Sequence, residues 1–167
     1  IEESVDGGEA LSAALARADC YDWIVVTSPN GARRVADGLA GSTTARLAAI
    51  GPKTAQPLSA AGHSVDLIPD RAVAEGLLEV FPSSDGTGRG LLARAETARH
   101  ILPDGLRDAG WEVDVVVAYR NVAPDMDPEV REQARSADLV TFTAESTVRR
   151  YHDLAGGPTP AMAACIG

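Results

Sequence analysis

Aromatic residues are scarce in this chain, at 4% of 167 positions, and cysteines number two. With so few rings, Ala, Gly and Val must fill the interior, which suits helices packed closely on a parallel sheet. Cys20 and Cys165 lie far apart and follow no metal-ligand spacing, which argues against a disulfide scaffold and fits a reducing, cytoplasmic setting. His63, His100 and His152 are scattered without ligand partners, so no metal site is expected. No apolar run reaches the 18 residues that a membrane span needs, and no signal peptide is visible. Positive charge is also in deficit: the formal net charge is −9, which argues against nucleic acid and anionic membranes as partners. A polyanionic small molecule is still permitted, because helix N-termini and a few local arginines can hold carboxylates inside an acidic protein.

What is present is organised around residues 21–37, YDWIVVTSPNGARRVAD. An apolar β-run over 23–26 stops at Thr27-Ser28-Pro29-Asn30-Gly31, because Pro29 lacks the N–H that a strand interior requires. Thr27, Ser28 and Asn30 supply side-chain oxygens where the first helical N–H groups have no partner within the helix. Those hydroxyls can serve as caps alone, or the helix start can receive an anion. The stretch recurs without a gap in residues 138–153, DLVTFTAESTVRRYHD: Asp22 falls on Asp138, Thr27 on Thr143, Arg33 on Arg149 and Asp37 on Asp153. Further on, Ala48, Ile50 and Gly51 fall on Ala164, Ile166 and Gly167. A repeat this long is no solenoid and points to two similar α/β lobes.

Along the chain, helices are expected at 9–18, 32–39, 55–61, 73–81, 98–109 and 127–134, with strands at 23–26, 46–50, 65–68, 91–93 and 112–119. Gly51-Pro52-Lys53-Thr54 forms a second strand-to-helix turn, with proline where a helix begins. Residues 82–90 read as a surface loop. Such alternation gives a doubly wound parallel sheet covered on both faces. The division expected is a linker over 1–8, a continuous lobe over 9–121, a return linker over 122–126 and a partial second lobe over 127–167. The chain stops in mid-repeat, so it reads as a fragment short of material at its C-terminus and also at its N-terminus.

Four stretches, YDWIVVTSPNG, LAAIGPKTA, LLARAETARHILPDGLRDAGWEVDVVVAYRNV and DLVTFTAESTV, together resemble the uroporphyrinogen-III synthase family, in the order that family shows. The resemblance implies two flavodoxin-like lobes joined by a pair of extended strands, with the active site in the cleft between them. It implies cyclisation of hydroxymethylbilane to uroporphyrinogen III, with inversion of the last ring and loss of water. No metal and no organic cofactor is implied. The protein would be a monomer supplied by hydroxymethylbilane synthase.

Tyr119 matches the tyrosine of the family's strand-end motif, so the resemblance gives it the catalytic role: a phenol delivered to a crevice, aiding departure of the hydroxyl. Thr27, Ser28 and Asn30, Lys53 and Thr54, Arg94, and Thr143 with Ser146 are assigned to the carboxylates of the substrate, with Arg99 a further candidate. Helix capping, or an ordinary exposed arginine, is the competing account of these residues. Two departures from the family pattern stand out: Ala144 where a serine is usual, and Ala93 where proline is frequent. Two other outcomes fit the same residues, namely a non-catalytic two-lobed binder of a small anion, or the synthase half of a fusion with a uroporphyrinogen-III C-methyltransferase.

Overall fold

The computed structural model describes residues 2–39, 41, 43–122, 125, 127–155 and 162–166. They fall into two units, Glu2–Asn121 and one beginning at Val122. In the first unit the apolar run Trp23–Val26 (β2) is a fully buried strand, flanked on both sides by parallel neighbours. Arg46–Ala49 (β3) lies on one side of it and Arg89–Ala95 (β4) on the other. Glu112–Asn121 (β5) runs parallel beyond β4, and Glu2–Glu3 (β1) closes that edge antiparallel, pairing with Asn121 and Arg120. The expected strand over 65–68 shrinks to a single parallel bridge from Leu67 to Ala48 on the far side of β3. Counting that bridge, the parallel strands run third, second, first, fourth, fifth in chain order. This is the doubly wound arrangement with its reversal between β2 and β4, and it differs from the 2-1-3-4-5 order of flavodoxin itself.

Strand alternation sorts the side chains into two cores. Ile24, Val26, Leu47, Leu91 and Ala93 face the helices Glu9–Leu15 (α1), Pro29–Gly38 (α2) and Pro52–Ala60 (α3). Trp23, Val25, Ala48 and Leu92 face Ala74–Val80 (α4) and Ile101–Asp108 (α5), with Trp111 closing the layer. Burial on both faces is why these strands read as continuous apolar runs. The helix expected over 98–109 begins only at Ile101, because Ala98 and Arg99 give their carbonyls to the Arg94 side chain.

In the second unit Leu139–Phe142 (β6) leads through Glu145–Ala155 (α7) to Met162–Cys165 (β7), parallel to β6. Pro128–Ser136 (α6) precedes them, capped by Asp127, whose side chain accepts from the Glu129 N–H. The repeat seen in the sequence holds in the pairing. Trp23 faces Arg46 across β2 and β3, and their counterparts Leu139 and Met162 face each other across β6 and β7. The return linker over 122–126 falls mostly outside the described residues, as do Ile1 and the repeat position Gly167.

Candidate functional site

Doubly wound sheets place ligands outside the carboxyl ends of the strands, where the strand order reverses. Here that point lies between Thr27, after β2, and Arg94, near the end of β4. Ser28 takes an extended conformation (φ −155°, ψ 154°) and caps α2, its Oγ accepting from the Gly31 N–H at 3.1 Å. Pro29 then supplies the pre-set φ of a first helical residue. The second turn lacks such a cap: Gly51 precedes α3, and its Cβ position would lie 2.5 Å from the Ala72 Cβ, so only glycine fits that approach. Lys53 stands exposed on this turn, whereas Thr54 is buried.

Tyr119 reaches Ser28 through a device that leaves no mark in the sequence. Between β4 and β5 the register slips: Arg94 pairs with Val117 but Ala95 pairs with Tyr119, leaving Ala118 as an extra residue. A β-bulge of this kind puts successive side chains on one face, and Ala118 and Tyr119 both enter the α2-side core. Strict alternation would have turned Tyr119 toward α4 and α5. Instead its hydroxyl donates to Ser28 Oγ at 3.0 Å, with the Arg34 guanidinium 5.5 Å from the ring centroid. The expectation of a phenol open to a crevice is corrected accordingly. Tyr119 is 6% exposed, and its hydroxyl is engaged by the loop in front of it.

Other candidates fare unequally. Thr27 and Arg99 line a cavity of about 260 Å³ on the α4/α5 side of the same edge, together with Arg94, Leu92 and Leu102. Arg94, expected to meet a carboxylate, is only 6% exposed. It donates from Nη1 to the Arg99 carbonyl at 3.0 Å and from Nη2 to the Ala98 carbonyl at 2.5 Å, which fastens the loop after β4. Arg99 is exposed and lies 3.8 Å from Glu75. Asn30 Oδ1 accepts from Arg33 Nη2 at 2.6 Å, on the first turns of α2. In the second unit Thr143 and Ser146 are both exposed, before and within the first turn of α7. Thr143 and Ser146 therefore stand beside α7 as Thr27 and Asn30 stand beside α2, but Ala144 brings no hydroxyl where Ser28 has one.

Two further clusters belong to the fold. Tyr21 donates to Asp114 Oδ2 at 2.8 Å, and burial, followed by this carboxylate, pushes the Tyr21 phenol above its ordinary pKa. Asp19 accepts from the Thr44 N–H at 2.9 Å and from the hydroxyls of Thr43 and Thr44 at 3.1 Å each, and these bonds hold its carboxyl below the usual range. A larger cavity, about 590 Å³, opens near the start of β3 among Thr44, Arg46, His63 and Asp66. It lies at the opposite end of the strands from the α2 N-terminus and the hydroxyl pair, so the site is assigned to the carboxyl edge. Among the described residues no group of three or more His, Cys, Asp or Glu is gathered to hold a metal, and no helix is long and apolar enough to cross a membrane.

The family model for uroporphyrinogen-III synthase HemD matches residues 1–167. A uroporphyrinogen-III synthase of Synechococcus elongatus is 32% identical over 154 residues, covering 86% of this chain and 58% of that protein. The chloroplastic uroporphyrinogen-III synthase of Oryza sativa is 29% identical over 157 residues, covering 88% of this chain and 52% of its own length. The chain thus spans roughly half to three-fifths of these curated relatives. Among solved structures, wild-type uroporphyrinogen III synthase from Thermus thermophilus superposes with a TM-score of 0.60 at 22% identity, covering all of this chain and 71% of that one. A mutant form of that enzyme gives 0.63 at 23% identity, over all of this chain and 73% of that one. Similarity at this identity speaks to the fold.

Proposed function

The chain belongs to the uroporphyrinogen-III synthase family, and from that premise we propose that the protein it builds cyclises hydroxymethylbilane to uroporphyrinogen III, inverting the last ring and releasing water. The observation that carries the reading is the family match over the whole of residues 1–167. The local chemistry supports it. Ring closure with loss of water needs a proton donor for the departing hydroxyl, and Tyr119 with Ser28 forms a hydroxyl pair at the carboxyl edge of the sheet. The substrate carries eight carboxylates, and the turn that opens α2 sets the Thr27 and Ser28 side chains at the carboxyl edge of the sheet, where the helix dipole favours an anion.

In this reading Thr27, Ser28 and Asn30 form the first carboxylate-binding turn, and exposed Lys53 carries the second, with Thr54 buried behind it. Arg99 adds an exposed cation beside the cavity, and Arg94 acts by holding the Ala98–Arg99 backbone there. Thr143 and Ser146 belong to the equivalent turn of a second lobe. Residues 9–121 form one continuous lobe, 127–167 part of another, and 1–8 with 122–126 the links. The enzyme works in the cytoplasm as a monomer, without metal or organic cofactor, on substrate supplied by hydroxymethylbilane synthase. Positioning of the curled chain supplies much of the rate. The test is to incubate the full-length protein with hydroxymethylbilane and separate the product isomers. Formation of the III isomer supports the proposal; closure to the I isomer alone, which needs no help, overturns it.

A further inference from the structure

We infer that Ser28, rather than the buried Tyr119, is the hydroxyl that meets the substrate, and that Tyr119 is a positioning residue acting through it. The inference rests on the proposed reaction and names the group that hands over the proton within it. A serine hydroxyl has two acceptor lone pairs and one proton to give. Both acceptor positions of Ser28 are taken, one by the Tyr119 O–H at 3.0 Å and one by the Gly31 N–H at 3.1 Å. What Ser28 still has to offer is its own proton. Tyr119 is 6% exposed, whereas Ser28 is half-buried on the loop that opens α2, so the serine is the more accessible member of the pair. Two donors on one oxygen also polarise its O–H bond and strengthen it as a donor.

The step balances without a co-reactant. As the C–O bond of the departing hydroxyl breaks, its oxygen takes the Ser28 Oγ proton and leaves as water. Tyr119 passes its phenolic proton to Ser28 Oγ in the same movement, and the Arg34 guanidinium places positive charge against the ring meanwhile. Inverting the last ring breaks its existing bond to the neighbouring bridge carbon and forms two, one to each bridge. The ring carbon that began with a hydrogen loses it as a proton, which returns to Tyr119 through solvent. The substrate has then lost one water and the two side chains are as they began. The bulge at Ala118 is what makes the relay available, because it turns Tyr119 onto the face that Ser28 occupies.

The test uses the full-length protein and begins from wild type. Should wild type give only the I isomer, the proposed reaction fails; the relay is judged only on a wild type that makes the III isomer. Given that, Ser28→Ala is expected to lower kcat by about 10²-fold or more, and Ser28→Thr to recover kcat to within about tenfold of wild type. Tyr119→Phe is expected to cost less than Ser28→Ala, since Gly31 still orients the serine. The double variant is expected to be no slower than Ser28→Ala, because residues acting as one unit are not additive. A larger loss in Tyr119→Phe than in Ser28→Ala, or losses that multiply in the double variant, would overturn the relay. If Ser28→Ala does not fold, a proton inventory of wild-type kcat in mixed light and heavy water decides. A bowed dependence reports two protons in flight; a straight line overturns the inference.

Discussion

At the scale of single residues, the candidate site is a matter of which atoms crowd Ser28. Gly31 sits on the first turn of α2, and a Cβ there would lie 3.3 Å from Ser28 Oγ and 4.0 Å from Tyr119 Cε1. Alanine is a better helix former than glycine by about 1 kcal/mol, which offsets that crowding. Gly31→Ala is therefore expected to leave the melting temperature level or slightly raised, while turnover of the full-length protein falls about tenfold as the serine is pushed off line. Paired melts and kcat measurements check it. Asp19 gives a different kind of test. Its carboxyl is held below the ordinary value of 3.8 by the Thr44 N–H and the two threonine hydroxyls. A lowered pKa in the fold means that the ionised form stabilises it. That contribution is fully present above the ordinary value and is lost as pH falls through the lowered one. Asp19→Asn should thus be less stable than wild type at neutral pH, and the gap should close in acid melts below about pH 3.8.

Among the elements, the βαβ unit explains what could be read in advance. The strands over 23–26 and 46–49 were legible because burial on both faces writes them as apolar runs and because Pro29 and Pro52 mark where helices start. The copy at 139–165 was legible through the first. It also supports a prediction: Ala144 precedes α7 as Ser28 precedes α2, and the Thr147 N–H that a side-chain cap would receive now goes to the Ala144 carbonyl. Ala144→Ser should supply that cap and stabilise the protein by about 1 kcal/mol, read as a higher urea midpoint. Other features could not be foreseen. The slip at Ala118 occurs within Val116-Val117-Ala118-Tyr119, with no glycine to mark a bulge, and alternation alone would put Tyr119 on the wrong face. Arg94 looked like a cation for a ligand because sequence does not show that the Ala98 and Arg99 carbonyls would claim it. Leu67 keeps only one bridge to β3, since Pro69 follows closely and ends pairing.

For the whole molecule, the same few rules place the chemistry. A parallel sheet with apolar strands must be covered on both faces, and the reversal of strand order between β2 and β4 opens one edge where helix starts and side-chain hydroxyls converge. Even in a chain of net charge −9, a helix dipole at such an edge favours an anion without a basic surface. The family match places the chain among the uroporphyrinogen-III synthases, and the Ser28–Tyr119 hydroxyl pair lies at that edge. The most direct measurement is the isomer composition formed from hydroxymethylbilane by the full-length protein, side by side with its Ser28→Ala/Tyr119→Phe variant. Uroporphyrinogen III from wild type, and from the folded double variant a rate of III formation cut about 10²-fold with the I isomer making up the rest, is the predicted result. A wild type that yields only the I isomer, or a double variant that still makes the III isomer at the wild-type rate, would contradict it.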